Sequence, residues 1–367
     1  MRGLYIHIPF CIKKCEYCDF VSFSGCYHME AAYLSALAEE MKIYRGEAVD
    51  TVYIGGGTPT SLTTHGLEFL MDNIFRYFDV SEDAEITMEC NPGTCNLEKL
   101  KALRSAGINR LSIGVQSFND TELSTIGRIH ISSDAISCAV DAKFAGFKNI
   151  SLDIMFGLPN QTTETLRDTL IKAFSAGVNH ISCYSLILEE GTPLFERVRT
   201  GQLYLPSEDT EVEMYNVACD MLEKSGYRQY EISNFARSGF ESRHNLKYWD
   251  CTEYIGCGCA AHSYYNNQRY TNTTDLDEYI ASPLKKYDVT GLSVRDKMSE
   301  FMFLGLRKTQ GVSAKDFESR FGSTFYFEFK EPIKKYLDLG LLEKDGDFLR
   351  FTPEGLRLSN MVLCEFV

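Results

Sequence analysis

The sequence predicts an α/β fold built on a mostly parallel sheet, followed by a smaller helical module. Three observations predict it: β-rich runs alternate with segments of helical apolar spacing up to about residue 190, glycines stand just past several of those segments, and the rhythm then changes. The runs are Leu4–Ile8, Thr51–Ile54, Glu85–Glu89, Arg110–Val115, Asn149–Met155 and His180–Leu188, most of them rich in Val, Ile, Tyr or Thr. Between them the spacing predicts helices over Tyr33–Tyr44, Leu67–Phe78, Leu97–Ser105, Ser133–Phe144 and Thr163–Ala176. Gly107, Gly146 and Gly177 each follow such a segment, where the end of a helix favours positive φ. Six βα units in series predict a parallel sheet, either open and doubly wound or rolled into a partial barrel.

Beyond residue 190, Glu208–Lys224 reads as one long helix and Tyr227–Ser263 as a loop-rich stretch holding His244, Trp249 and three Cys. From Arg295 the pattern gives helices at Met298–Leu306, Ser313–Phe321 and Phe329–Leu339, then short strands at Leu341–Glu343 and Phe348–Phe351 around the turn Lys344 to Asp347. Three helices and a hairpin resemble a winged helix; with so little positive charge it reads as a packing or partner-docking module. The expected division is residues 1–205 for the parallel unit, 206–290 for an accessory region and 291–367 for the terminal module.

The chain has 367 residues with 51 acidic and 37 basic side chains, a net charge of −14. Surplus carboxylates on that scale argue against nucleic acid or an anionic membrane as partner. Thirteen Cys are too few for a disulfide scaffold and odd in number, so they read as thiols in a reducing cytosol. The amino-terminal apolar run is broken by His7 and Pro9, and no segment is apolar enough to span a bilayer, so the expected location is the cytoplasm.

Cys11, Cys15 and Cys18 form Cys-x-x-x-Cys-x-x-Cys just after the first strand. Three close thiolates suit a soft metal centre: zinc, with Asp19 or Cys26 as a fourth ligand, or an iron–sulfur cube with one iron left open. Gly55-Gly56-Gly57-Thr58-Pro59-Thr60 follows the second strand; no Lys makes it a phosphate loop, and its glycines let backbone approach a ligand or simply turn tightly. Glu89, Gln116, Arg128 and Asp153 fall in or near the carboxyl-terminal halves of the strands, the end where parallel sheets build their sites. A lone carboxylate such as Asp153 in an apolar strand is costly unless it binds something.

Tyr5-x-His7-Ile8-Pro9-Phe10-Cys11-x-x-x-Cys15-x-Tyr17-Cys18, with the Gly-Gly-Gly-Thr-Pro-Thr run, Glu89-Cys-Asn-Pro, Gly114-Val-Gln-Ser-Phe and Phe303-Leu-Gly-Leu-Arg307, resembles the radical S-adenosylmethionine proteins of the oxygen-independent coproporphyrinogen oxidase group. The resemblance implies a partial (β/α)6 TIM-type barrel with a winged-helix-like carboxyl-terminal domain. It implies a [4Fe–4S] cluster on Cys11, Cys15 and Cys18, with S-adenosylmethionine chelating the open iron. Tyr5, Gly56, Gly57, Thr58 and Glu89 would line that first S-adenosylmethionine site, with Tyr17 near the adenine or the cluster. In the oxidases, positions matching Gln116, Arg128 and Asp153 contact a second S-adenosylmethionine. The chemistry so implied is reductive cleavage of S-adenosylmethionine to methionine and a 5′-deoxyadenosyl radical.

Two departures point away from the oxidases themselves. They carry a further Cys two positions after the third ligand, where this chain has Phe20, and a long arm before the first ligand, whereas Cys11 comes almost at once here. Both match the HemW-type haem-chaperone branch, as does His244-Asn245-x-x-Tyr248-Trp249, a motif associated there with haem binding. An imidazole is a natural axial ligand for haem iron. The resemblance therefore implies haem as a third cofactor, contact through His244 with His262 as second candidate, haem-accepting proteins as partners (membrane-associated ones included), and a reductant such as ferredoxin or flavodoxin. The competing expectation is coproporphyrinogen III oxidation. Cys257 and Cys259 read as turn residues, and Cys90, Cys138, Cys183, Cys219 and Cys364 as core thiols.

Overall fold

A computed structural model describes residues 1–367. Its centre is a twelve-stranded sheet. Six parallel strands make its middle: β1 (Arg2–Ile8), β2 (Ala48–Gly56), β3 (Asp79–Cys90), β4 (Arg110–Gln116), β5 (Asn149–Phe156) and β6 (His180–Ser185). Each expected strand is present. Their apolar residues are buried on both faces, because the crossover helices cover the outside while the inside is curled on itself. The main crossover helices are α1 (Glu30–Lys42), α2 (Thr64–Tyr77), α3 (Leu97–Ser105), α4 (Ser132–Phe144) and α5 (Thr163–Ser175). Side-chain oxygens of Thr63, Asn96 and Thr162 cap three of them by accepting backbone N–H bonds.

The sheet does not close. Its two outermost strands, Tyr287–Gly291 and Arg228–Glu231, are not paired with each other, so the barrel is open on one side. The stretch Tyr227–Ser263, expected to be mostly loop, is more regular than its composition suggests. It supplies two antiparallel strands beside β6, the short helix α7 (Arg243–Trp249) after α6 (Glu208–Lys224), and a seventh parallel strand, Tyr254–Cys257, on the outer side of β1. These strands are only three or four residues long, and long-range pairing rather than local propensity forms them.

Met214, Tyr227, Phe235, Ile255 and Tyr279 share one apolar core with the barrel strands. A separate core holds the terminal module, from Met298 to Phe366. That module contains the three expected helices, at Val294–Gly305, Ala314–Phe321 and Lys330–Asp338, and the hairpin Leu342–Asp345 with Phe348–Phe351. Val312–Ser313 adds a third strand to the hairpin, as a winged helix requires. Where module meets barrel, Ile232 N–H donates to Arg307 O at 3.1 Å, Thr309 N–H to Tyr230 O at 3.1 Å, and the Arg307 guanidinium lies 4.5 Å from the Trp249 ring centre. No helix is long and apolar enough to cross a membrane.

Candidate functional site

A cavity of about 540 Å³ opens at the carboxyl ends of the parallel strands. The cysteine loop, the glycine run, Tyr17, Glu89, Gln116, Arg128 and Asp153 all line it. The strand-end argument from sequence thus brings these residues to one mouth. Tyr5 and His244 do not line it.

The cysteine loop leaves β1 through a short pairing of Phe10–Cys11 with Phe23–Ser24. Glycine backbone grips it from the side: Gly57 N–H donates to Ile8 O at 2.8 Å and Thr58 N–H to Phe10 O at 2.7 Å. A Cβ on Gly57 would stand 2.7 Å from Phe10 O, and one on Gly56, at φ +107°, 2.5 Å from the His7 ring. A Cβ on Gly55 would meet the Glu89 carboxylate at 2.8 Å. The glycines serve this chain's own close packing at least as much as they open space for a ligand.

Each of two cluster cysteines has a polar neighbour on its sulfur. Thr58 Oγ1 donates to Cys11 Sγ at 3.6 Å, and Arg128 Nη1 to Cys15 Sγ at 3.4 Å. Burial pushes the Cys18 thiol up to about 11 and raises that of Cys11, so their thiolates persist at neutral pH only where a cation replaces the proton. The three sulfurs do not converge to within 4.8 Å of one another. Ligands of one ion at a metal–sulfur distance of about 2.3 Å stand about 4 Å apart. The donor set and its spread therefore fit a multi-iron cube better than a single zinc.

Glu89 lies opposite the loop. Tyr53 Oη donates to its Oε1 at 2.9 Å and Gly56 N–H to its Oε2 at 3.1 Å. Burial raises its pKa to about 7, the Asp153 charge adds to the rise, and those two hydrogen bonds oppose it. Tyr5 sits behind this pair, its ring stacked on Tyr53 at 6.3 Å and its hydroxyl 3.0 Å from His7 Nδ1.

Deeper on the opposite wall, Arg128 Nη2 donates to Asn91 Oδ1 at 2.7 Å and to Gly114 O, while its Nε is buried without a partner. Asn91 Nδ2 in turn donates to Thr58 Oγ1 at 2.8 Å. Gln116 adopts φ +68°, unusual for a side-chain-bearing residue, and accepts from Tyr184 Oη at 3.1 Å. Asp153 accepts from Ser112 Oγ at 3.0 Å; burial raises its pKa, and the serine hydrogen bonds pull it down. The cost of that carboxylate is thus partly met inside the protein.

Tyr53, Asn91 and Tyr184 are site residues that the sequence reading passed over. Asn91 stood within the quoted Glu-Cys-Asn-Pro run; the tyrosines looked like ordinary strand aromatics.

His244 corrects an expectation. It lies 1% exposed on α7, against the amino-terminal ends of β1 and β2, away from the mouth. Its Nδ1 shares a hydrogen bond with Thr51 Oγ1 at 2.9 Å, its Nε2 one with Tyr248 Oη at 2.9 Å, and its ring tilts against Tyr53 at 5.3 Å. Burial, aided by the Lys247 charge, lowers its pKa to about 3. Both ring nitrogens face protein hydroxyls, so the imidazole is a strut under the cavity floor and is not presented to it as a haem ligand. Its neighbour Asn245 is what α7 offers to the cavity. His262 is exposed and does not line the cavity. Cys364, expected in the core, is exposed, because the last helical turn buries Leu363 and Phe366 and leaves Cys364 on its solvent face.

The radical SAM superfamily model matches residues 5–173, and the HemN C-terminal domain model residues 292–358. The chain is 41% identical to the heme chaperone HemW of Bacillus subtilis, covering 100% of this chain and 99% of that protein. It is 40% identical to the heme chaperone HemW of Lactococcus lactis, over 100% and 97% of the two chains. A mouse relative, radical S-adenosyl methionine domain-containing protein 1, mitochondrial, is 33% identical over 98% of this chain and 86% of that one. Among solved structures, coproporphyrinogen III oxidase (HemN) from Escherichia coli superposes with a TM-score of 0.88 at 25% identity, covering 99% of this chain and 89% of the oxidase. The likeness to these relatives runs over nearly the full length of both chains, and the chain belongs to the HemW family of radical S-adenosylmethionine proteins.

Proposed function

We propose that this protein is a haem chaperone: it binds haem and passes it to haem-dependent proteins. The observation that carries this is the end-to-end likeness, at 41% identity, to a protein named as a heme chaperone, against 25% to the oxidase of the same fold. Phe20 supports it. It is 63% exposed at the rim of the cavity, on the position where the oxidases have a further Cys.

Cys11, Cys15 and Cys18 would hold a [4Fe–4S] cluster, and Tyr17, Gly56, Gly57, Thr58 and Glu89 would hold S-adenosylmethionine. When bound, the pair supplies one-electron chemistry at a carbon–sulfur bond. The chain's own part is positioning: Arg128 and Thr58 fix the sulfurs, and Tyr53 and Gly56 aim Glu89. Haem would rest at the rim, where exposed Phe20 and Ile187 offer apolar surface and Lys13 and Lys14 face the propionates. The partners are haem-accepting proteins and a low-potential reductant of the ferredoxin or flavodoxin type, and the cytoplasm is where we place the reaction. The Gln116, Arg128 and Asp153 wall is the candidate for a second S-adenosylmethionine.

One anaerobic preparation tests the reading. The reconstituted protein is expected to take up haem, give it to an apo-haemoprotein, and leave coproporphyrinogen III unchanged. Conversion of coproporphyrinogen III to protoporphyrinogen IX would instead make it an oxidase.

Glu89 gives a second expectation. A permanently charged sulfonium arriving beside a carboxyl whose pKa is about 7 restores its charge. S-adenosylmethionine binding near pH 6.5 should therefore release a proton, measured by calorimetry in buffers of different ionisation enthalpy. Glu89→Gln should weaken binding by roughly tenfold or more and abolish the release; an unchanged release would remove Glu89 from the site.

A further inference from the structure

Three thiols that share no sequence motif meet at the cavity wall, which Cys90 itself lines. Cys90 ends β3, Cys95 stands in the loop before α3, and Cys138 lies in α4. Their sulfurs all fall within 4.8 Å of one another, with Cys90 Sγ 3.0 Å from Cys95 Sγ and 3.7 Å from Cys138 Sγ. This is the convergence that Cys11, Cys15 and Cys18 lack. Thiolates around one ion with bonds of about 2.3 Å stand about 4 Å apart; Cys90 and Cys138 are near that separation, and Cys95 has to move outward from Cys90 to reach it.

The surroundings select a soft ion. Cys90 and Cys138 belong to the barrel's apolar core and Cys95 packs against it half-buried. Thiolate sulfur in an apolar setting favours closed-shell thiophilic cations over calcium, magnesium or manganese. Positive charge is near: Lys99, one turn along α3, donates to Leu62 O at 2.6 Å and its charge acts on Cys95. Cys95 also directly precedes Asn96, the cap of the nine-residue helix α3, and so sits at its positive end.

We propose that Cys90, Cys95 and Cys138 bind one thiophilic closed-shell cation, zinc(II) or copper(I), in a three-thiolate site separate from the cluster loop. Loading exchanges the ion for the three thiol protons with no change of oxidation state. The bound ion braces the tip of β3, where Glu89, Cys90 and Asn91 border the cavity and Asn91 ties Arg128 to Thr58.

The test uses the full chain with Cys11→Ala, Cys15→Ala and Cys18→Ala, which removes the cluster ligands. Metal-free protein, kept reduced, is titrated with zinc(II) against a chromophoric chelator, and separately with copper(I) against a copper(I)-selective one. One equivalent of one of the two ions is expected to resist the chelator, and which arm does so names the ion. Adding Cys95→Ser or Cys138→Ala should weaken retention on the order of a hundredfold, with circular dichroism confirming the fold. Should the Cys138 variant not fold, the half-buried Cys95→Ser carries the test alone. Retention of neither ion, retention unchanged in Cys95→Ser, or a thiol count two short of complete, meaning a Cys90–Cys95 disulfide, would each overturn the site.

Discussion

Cys15→Ala is expected to yield a colourless protein with close to no iron, where the parent reconstitutes with about four irons per chain. The cube has three protein ligands and no spare nearby: Cys26 lies beyond Ser24 and its thiol is directed at that residue's carbonyl, 3.7 Å away. With two ligands, buried Cys11 and half-buried Cys18 return to the protonated state that burial favours. Arg128 would lose the sulfur partner of its Nη1 while keeping Asn91 and Gly114. The fold should therefore survive, with the change confined to iron and sulfide content and to the visible spectrum. A variant that keeps a full complement of iron would show that the loop does not hold the cluster. Haem uptake by the same variant then tells whether the rim works without the cluster behind it.

His244→Ala is expected to cost about 3 kcal/mol of stability, read from the denaturant midpoint. The deletion orphans Thr51 Oγ1 and Tyr248 Oη and opens a hole beside Tyr53. A pH signature accompanies it. A histidine held at about 3 in the fold and near 6.5 unfolded stabilises the protein above pH 6.5 and loses that contribution as pH falls toward 3, because the unfolded chain takes the proton first. His7 and His130, both lowered to about 4 by burial, act in the same sense, as does His180. The variant should keep an acid limb that is shallower by one proton of four. Its haem affinity, followed in the Soret band, should match the parent as long as it is folded; a lost Soret shift with an intact fold would put the imidazole on the iron.

The repeating unit was legible because each strand and helix carries its own period. Leu97–Ser105, Glu208–Lys224 and Phe348–Phe351 begin and end where their spacing and turn residues place them. Tyr254–Cys257 was not legible, since four residues containing a glycine have no period and exist as a strand only through pairing, with β1 on one side and His262–Tyr265 on the other. The cysteine loop was readable from its spacing, and Glu89, Gln116, Arg128 and Asp153 from their place at strand ends. His244 misled because its motif says nothing of Thr51, nearly two hundred residues earlier, which takes one of its nitrogens. Cys90 and Cys138 are the core thiols expected, but their meeting with Cys95 was hidden for the same reason: three elements, not a spacing, bring the trio together.

The contact between Arg307 and Trp249 gives the terminal module a grip on the cavity. Trp249 ends the same helix that carries His244; the His244 ring rests on Tyr53, and the Tyr53 hydroxyl holds Glu89. A line of packed side chains runs from the terminal module to the carboxylate opposite the cysteine loop. The terminal module is thus connected to the inner site by packed side chains, and a double-mutant cycle between Arg307 and Tyr53 measures the free energy that couples the two positions.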